Sequence, residues 1–263
     1  MLLGALILLG VVAITHDQLP HDRSTWAHLT VAALVANAAP YLLFALGETR
    51  VDSSIAGVMN ATTPPWTLAL TATIRTTEPI RPTQIAGFAL GLTGCTVILA
   101  PGNSGTLDPL GTLYCLLAAV SYAISYVYMA RYLTPKPITP TALATAQLLA
   151  ATGRTLLALA AHPGPLPRFA AGPWAALAIL GIFGTGLAYI INYVLIRNEG
   201  PTHASVVTYL VPIVSVALGA VALSEPLTPS LLTGSTLILI GIVLSRRTPP
   251  IPNARQASRS RQP

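Results

Sequence analysis

Nine long apolar runs constrain the fold of this chain more than any other feature of its sequence. A bilayer core about 30 Å thick is crossed by about 20 mostly apolar residues in an α-helix. Charged residues make up only 8% of the chain, against about 25% in average proteins, so they cannot cover a water-facing surface. We predict an all-α integral membrane protein with nine transmembrane helices, at residues 1–14, 26–46, 54–74, 83–100, 109–132, 141–161, 173–197, 203–223 and 229–245.

Two other interpretations of the runs are disfavoured. The strands of a membrane β-barrel alternate apolar and polar residues over about ten positions. Residues 177–196 are instead apolar on nearly all faces, which indicates a helix. The run that begins at Met1 could be a signal peptide, but no Lys or Arg precedes it and eight further runs follow. We interpret it as a membrane span.

The distribution of basic residues predicts the orientation, because Lys and Arg in short loops favour the cytoplasmic side. If the loop at 15–25 is cytoplasmic, only Arg50 and Arg168 lie outside, while Arg154 lies within a run. Eleven of the 14 basic residues then lie inside: Arg23, Arg75, Arg81, Arg131, Lys136, Arg197, Arg246, Arg247, Arg255, Arg259 and Arg261. We predict a multi-pass plasma-membrane protein with a cytoplasmic C-terminus.

The chain repeats itself at an offset of 147 positions. The pairs that share this offset include Glu78 and Glu225, Pro79 and Pro226, Pro65 and Pro212, Gly87 and Gly234, and Gly94 and Gly241. The offset crosses five runs, an odd number, so equivalent helices run in opposite directions across the membrane. This pattern predicts an inverted repeat of two helical bundles, the design of transporters that hold substrate near the bilayer midplane between their halves. A duplicated scaffold without transport is the alternative.

Several short motifs resemble one known family. They lie at residues 44–48, 56–64, 184–189, 209–212 and 223–225, in the order and spacing of the EamA-type transporters of the drug/metabolite transporter superfamily. The resemblance covers the chain from Met1 to Arg247. It implies a fold of ten helices in two sets of five, and a function in exporting small metabolites.

The chain departs from that pattern at its start. Four runs precede the polar break at 101–108 and five follow it, and the run from Met1 aligns with the family's second helix. We expect a first repeat at 1–100, a second repeat at 109–247 and a polar basic tail at 248–263 that is disordered and attracts anionic lipid. We also expect the natural start to lie upstream. A natural truncation, giving a non-transporting membrane subunit, is the alternative.

Polar stripes on several runs predict a cavity between the repeats. On one helix Asn60 and Thr63 share a face with Thr67 and Thr71, beside two prolines that free backbone carbonyls. Small polar residues also serve as packing contacts between membrane helices, and for any single Ser or Thr this is the stronger interpretation. The candidate substrate-binding residues are Asn37, Tyr41, Glu48, Asn60, Thr63, Tyr122, Arg154, Thr185, Tyr189, Asn192, Thr208 and Pro212.

Two charged candidates have separate roles. Arg154 lies near the middle of its run, where an arginine costs about 2.5–3.5 kcal/mol by insertion scales. It could anchor a substrate carboxylate, in a cavity shared with Asn60, Tyr189 and Asn192, or it could bind helix carbonyls or a lipid phosphate. The acidic residues fall at or beyond helix ends, and only Glu48 is placed to enter a cavity. This favours facilitated export, or coupling through Glu48, over a proton relay.

The sequence therefore predicts an exporter of a small amphipathic metabolite, such as an amino acid, because the resembled family includes amino-acid exporters. An intramembrane enzyme is the alternative from another class, but the five histidines lie near helix ends and none is paired with a Ser or Cys. Cys95 and Cys115 offer neither a disulfide framework nor metal-ligand spacing. We expect no catalytic residues, cofactor or metal. The expected partners are the substrate and membrane lipid, without nucleic acid, and a homodimer is left open.

Overall fold

A computed structural model of the chain describes residues 1–74, 81–98, 108–161, 177–214 and 229–246. The regular elements of these ranges are all helical. They are α1 (Leu2–Ile14), α2 (Arg23–Ala33), a π-helical segment (Leu34–Ala38), α3 (Ala39–Glu48), α4 (Ser53–Asn60), α5 (Thr63–Ile74), α6 (Pro82–Ile98), α7 (Pro109–Tyr132), α8 (Pro140–Ala161), a second π-helical segment (Leu180–Leu187), α9 (Ala188–Ser205), a 3-10 segment (Val206–Tyr209) and α10 (Pro229–Arg246).

The predicted helical class is confirmed, and the described parts of the predicted runs are mostly helical. Among the described residues, three helical stretches are long and apolar enough to cross a bilayer: Arg23–Glu48, Pro109–Tyr132 and Leu177–Val214. Leu2–Ile14, Pro82–Ile98 and Pro229–Ser245 are shorter apolar helices. The Glu-Pro pairs at 78–79 and 225–226, the break at 101–107 and the tail at 248–263 lie outside the described residues.

The run predicted as one helix at 54–74 is divided in the structure. It breaks between α4 and α5, because Pro64 and Pro65 lack the amide hydrogens that would continue the helical hydrogen-bond pattern. The hydroxyl of Thr62 donates to the carbonyl of Met59 at 2.6 Å, and that of Thr63 donates to the carbonyl of Asn60 at 2.7 Å. These bonds satisfy carbonyls that the break leaves free.

A second break interrupts α9, as the sequence predicted between its runs at 173–197 and 203–223. Gly200 has a φ of 81°, a left-handed conformation that glycine adopts without the steric cost of a Cβ. Pro201 follows it and begins the next helical turn. The chain thus turns at this point while both flanking segments remain helical.

The helices α6 and α10 pack closely and antiparallel through glycines. A Cβ added to Gly87 would lie 2.6 Å from the carbonyl oxygen of Gly241, and one added to Gly94 would lie 2.6 Å from that of Gly234. The later glycine of α6, Gly94, lies opposite the earlier glycine of α10, Gly234, so the two helices run antiparallel. Backbones approach this closely only where side chains are absent, as in small-residue contacts between membrane helices.

The rest of the bundle is organised around α7, which packs against α2, α3, α4, α5 and α9. A buried apolar cluster joins α2, α7, α8 and α9 and includes Leu29, Leu133, Leu143 and Ile196. At one end of the bundle Lys136 forms an ion pair with Asp22 at 3.3 Å. At the other end Arg50 forms one with Asp108 at 3.8 Å. The two ends are thus fixed by pairs that join the two halves of the chain.

Candidate functional site

A cavity of about 480 Å³ lies between the helices, and its described wall is mostly apolar with several polar, uncharged side chains. Six of the predicted site residues line it: Tyr41, Asn60, Tyr122, Tyr189, Asn192 and Thr208. They come from α3, α4, α7, α9 and the 3-10 segment, so the fold brings together residues that are far apart in sequence. Within the described chain, the lining includes no Asp, Glu, Lys or Arg.

One face of α7 supplies a wall that the sequence predicted only in part. Tyr122 and Ser125 lie on it, and so do Tyr126 and Met129, which were not predicted. Their spacing of three and four positions is the signal that could have found them, because such residues share a helix face. Thr208 of the 3-10 segment lines the same cavity, so this face of α7 and the 3-10 segment form adjoining parts of its wall.

The break between α4 and α5 holds Asn60 at the cavity. Its carbonyl accepts from the Thr63 hydroxyl, and Thr63 itself is fully buried behind the wall. The Oδ1 atom of Asn60 is buried and has no hydrogen-bond partner among the residues that the structure describes. An unpaired buried acceptor costs about 1–3 kcal/mol, so its presence in a cavity wall calls for an explanation.

Asn37 lies one layer behind the cavity, in a buried hydrogen-bonded network. Its Nδ2 donates to the Tyr189 hydroxyl at 2.5 Å, and its Oδ1 accepts from Gln147 Nε2 at 3.1 Å. The Tyr193 hydroxyl donates to Gln147 Oε1 at 2.5 Å. Sequence reasoning missed Gln147 and Tyr193. A single amide within the apolar run of α8 was the available signal, because a buried amide needs partners.

Arg154 lies outside this cavity, contrary to the expectation that it would share it with Asn60, Tyr189 and Asn192. Its guanidinium donates to the backbone carbonyl of Thr30 at 2.8 Å. A carbonyl has two lone pairs, so this oxygen can accept from Arg154 in addition to the helix backbone. In this structure Arg154 therefore binds a helix carbonyl, which was one of the roles expected for it.

The other predicted residues also lie away from the cavity. Glu48 is exposed at the end of α3, and Pro212 is buried. Thr185 donates to the Leu180 carbonyl at 3.2 Å on the second π-helical segment, and a Cβ on Gly4 would lie 3.2 Å from its methyl group. Thr185 is therefore a contact to α1 rather than part of the cavity wall.

Comparison with known proteins gives the family. The model of the EamA-like transporter family matches residues 1–100 and 109–247. The chain belongs to the EamA-like transporter family. It is a membrane transporter, and the resemblance predicted from its short motifs is confirmed.

Several relatives of this EamA-like transporter cover most of its length. It is 27% identical over 250 residues to the uncharacterized transporter YvbV of Bacillus subtilis (strain 168), with 92% of this chain and 79% of the relative covered. It is 30% identical over 207 residues to an uncharacterized transporter of Archaeoglobus fulgidus, with 76% and 70% covered. It is 28% identical over 231 residues to the uncharacterized inner membrane transporter YedA of Escherichia coli (strain K12), with 83% and 70% covered.

A protein of known crystal structure shares the fold. It is 20% identical to this EamA-like transporter, and the two superpose with a TM-score of 0.78 over 92% of this chain and 84% of the other.

Among the residues that the structure describes, no three His, Cys, Asp or Glu side chains are grouped where they could hold a metal ion. Cys95 and Cys115 are both buried and unpaired.

Proposed function

We propose that this transporter exports a small, net-neutral amphipathic metabolite through the cavity described above, with amino acids as the first candidates. The observation that carries the proposal is the composition of the wall: tyrosine hydroxyls and asparagine amides beside apolar side chains, with no charged residue in the described lining. Moving a net charge into such a wall without a counter-charge costs several kcal/mol. A molecule with both polar and apolar parts, and no net charge, fits it better.

Alternating access between two inverted repeats is the proposed mechanism. The cavity takes Tyr41 and Asn60 from the first matched region and Tyr122, Tyr189 and Asn192 from the second. A site built from both halves changes its accessibility when one half moves against the other.

The contact between α6 and α10 supports the inverted repeat. Gly87 and Gly94 of α6 correspond, at the offset of 147, to Gly234 and Gly241 of α10. In space Gly87 meets Gly241 while Gly94 meets Gly234. Such reciprocal contacts are expected where two equivalent elements are related by a two-fold axis. We propose this axis as the one that relates the halves, with repeats at 1–100 and 109–247.

Facilitated export with a cytoplasmic C-terminus completes the proposal. No acidic side chain lies in the described cavity wall, and Glu48 is exposed outside it, which favours movement down a gradient over proton coupling.

The proposed orientation, with the C-terminus in the cytoplasm, is supported by the positions of the basic residues. Arg131, Lys136 and Arg197 lie at the bundle end that carries the pair of Asp22 and Lys136, and the opposite end carries Arg50.

The test is solute exchange in liposomes that contain the purified full chain. Vesicles preloaded with each of the twenty amino acids are diluted into a trace of the same labelled compound, and accumulation above protein-free vesicles is measured. We expect exchange of at least one amino acid, independent of an imposed pH gradient. Tyr122→Ala should abolish it, and Tyr114→Ala, on the same helix but outside the described lining, should not. Equal exchange with and without protein for all twenty would contradict the proposal for amino acids.

A further inference from the structure

The hydrogen bonds behind the cavity form a chain with one direction. Gln147 accepts through its oxygen from Tyr193 and donates through its nitrogen to Asn37. Asn37 likewise accepts through its oxygen and donates through its nitrogen to the Tyr189 hydroxyl. In each amide the oxygen accepts from the neighbour farther from the cavity, and the nitrogen donates to the neighbour nearer the cavity. All three bonds point from Tyr193 toward the cavity wall.

This direction determines what Tyr189 offers to the cavity. A tyrosine hydroxyl has one hydrogen to donate, and its oxygen accepts. Because the Tyr189 oxygen accepts from Asn37, its hydrogen is directed away from Asn37. Tyr189 lines the cavity. The chain therefore ends at the cavity wall with one hydroxyl hydrogen, that of Tyr189, left to bond an incoming molecule.

Packing alone does not explain these residues. Tyr193 and Gln147 are 0% exposed and Asn37 is 1% exposed, among apolar neighbours such as Leu143 and Leu148. Buried amides cost free energy unless every partner is present, so apolar side chains would fill the same space more simply. Hydrogen bonds in series also polarise one another, which makes the last hydroxyl a stronger donor. A role for the Tyr189 hydroxyl, at the cavity end of the chain, accounts for the free-energy cost of burying these amides.

We propose that Asn37 and Gln147 are positioning residues that hold Tyr189 as a hydrogen-bond donor, and that the transported molecule presents a carboxyl or carbonyl oxygen to it. This inference rests on the proposed function, since it assigns the substrate class of the same cavity. The unpartnered Oδ1 of Asn60 in the wall supplies an acceptor for an ammonium or hydroxyl group of the same molecule. Donors and an acceptor in one neutral cavity match a solute that carries an oxygen acceptor and a hydrogen donor.

The transport test compares each amino acid with its decarboxylated amine, which keeps the side chain and the nitrogen but lacks the oxygens. The probe is the amino acid that the wild-type protein exchanges fastest in liposomes. We expect the amine to be exchanged at least about tenfold less well, because it lacks the oxygens and also carries a net positive charge. Tyr189→Phe separates the two causes, because it removes the hydroxyl donor and changes no charge: exchange of the amino acid should fall and that of the amine should not. An equal fall for both would assign the Tyr189 hydroxyl to packing.

The positioning role is tested with Gln147→Met, which keeps the length of the side chain and removes both hydrogen-bonding groups. It should raise the KM of the amino acid about tenfold, the equivalent of about one lost hydrogen bond, with kcat within about twofold. Exchange of the amine should not change. Thr152→Val is the matched control on the same helix, because the Thr152 hydroxyl is buried without a partner and its loss should leave KM unchanged. Tyr193→Phe removes only the first hydroxyl of the chain and should shift KM in the same direction, which provides a milder variant if Gln147→Met does not fold.

A second readout does not depend on transport. Tyrosine labelled with ¹³C at Cζ reports the hydrogen bonding of each hydroxyl by NMR. Gln147→Met should shift the resonance of Tyr189 and leave that of Tyr114 in place. An unshifted Tyr189 resonance would overturn the positioning role. A shifted Tyr189 resonance with an unchanged KM would overturn the recognition of a substrate oxygen. A wild-type protein that exchanges no amino acid would contradict the proposed function, and the resonances would still decide whether the chain positions Tyr189.

Discussion

Gly87 of α6 and Gly241 of α10 are in reciprocal backbone contact: a Cβ added to either would lie 2.6 Å from the carbonyl oxygen of the other. Real Cβ atoms do not approach a backbone atom this closely, and neither backbone can move without shifting its whole helix. We expect Gly87→Ala to destabilise the protein by about 1–3 kcal/mol, the usual cost of overpacking. The measurement is the melting temperature of the purified protein in detergent.

Gly153 provides the matched control, since a Cβ at this helical position would meet no atom within 4 Å. Gly153→Ala should stabilise the protein by about 0.5–1 kcal/mol, because alanine loses less backbone entropy in a helix. A melting temperature for Gly87→Ala equal to that of the wild type would show that the two helices can separate freely, and would remove the contact that supports the inverted repeat.

The carboxylate of Asp22 caps α2 outside the membrane-spanning segment. It accepts from the Thr25 hydroxyl at 2.6 Å and from the Thr25 amide at 2.8 Å, and it pairs with Lys136. The hydrogen bonds from Thr25 are the main cause that lowers the pKa of Asp22 from 3.8 to about 2, and Lys136 contributes less. Because the folded-state pKa is the lower one, the stabilisation is fully present above about pH 4 and is lost as the pH falls toward 2.

Asp22→Asn should therefore lower the melting temperature at neutral pH, and its difference from the wild type should shrink below about pH 4. Asp52→Asn is the control, because Asp52 occupies the equivalent cap position of α4 without a side-chain cap hydrogen bond. It should change the melting temperature less at every pH. A difference between Asp22→Asn and the wild type that stays constant from pH 7 to pH 3 would contradict this role.

The helices of this protein were predictable because a bilayer demands long apolar runs, and the ends of those runs carry recognisable signals. Asp108 caps α7 through the Gly111 amide, and Gly200 with Pro201 marks the break in α9. The two π-helical segments, Leu34–Ala38 and Leu180–Leu187, had no such signal.

The cavity was predictable where polar residues repeat on one face, as for Tyr189 and Asn192 on α9. It was not predictable for Gln147, whose partners lie on α2–α3 and α9 rather than on its own helix. The position of Arg154 could not be predicted, because the cost of inserting a charge into a membrane shows that the charge needs a partner but does not identify that partner. The carbonyl of Thr30, on another helix, is visible only in the fold.

The orientation can be tested with cysteines at exposed positions on opposite ends of the bundle. Pro137 and Thr49 are both exposed, and the native Cys95 and Cys115 are buried and give little background. With the C-terminus inside, a membrane-impermeant thiol reagent added to intact cells should label Thr49→Cys and not Pro137→Cys. Both should react after the cells are opened. The reverse pattern would invert the topology and the direction assigned to transport.

Arg154 should prove structural rather than substrate-binding. Arg154→Leu loses the bond to the Thr30 carbonyl, worth about 1 kcal/mol, but it also removes an insertion cost of about 2.5–3.5 kcal/mol. We expect equal or higher thermal stability and a KM within about twofold of the wild type for the best amino-acid probe. Arg154→Lys keeps the charge and its insertion cost, so it should not raise the thermal stability, and its KM should also stay within about twofold of the wild type. A KM raised tenfold or more in Arg154→Leu alone would place the guanidinium in the transport path after all.

Asn60 gives the sharpest separation between folding and transport. Its Oδ1 is buried in the cavity wall without a partner, so folding gains no hydrogen bond from that atom and bears the cost of desolvating it. Asn60→Ala should therefore keep or raise the melting temperature, whereas exchange of the amino-acid probe should fall about tenfold through KM. Asn198→Ala, an exposed amide on α9 outside the described lining, is the control and should change neither. If Asn60→Ala lowered the melting temperature and left KM unchanged, the side chain would serve the packing of α4, and the acceptor side of the proposed substrate site would have to be sought elsewhere in the cavity wall.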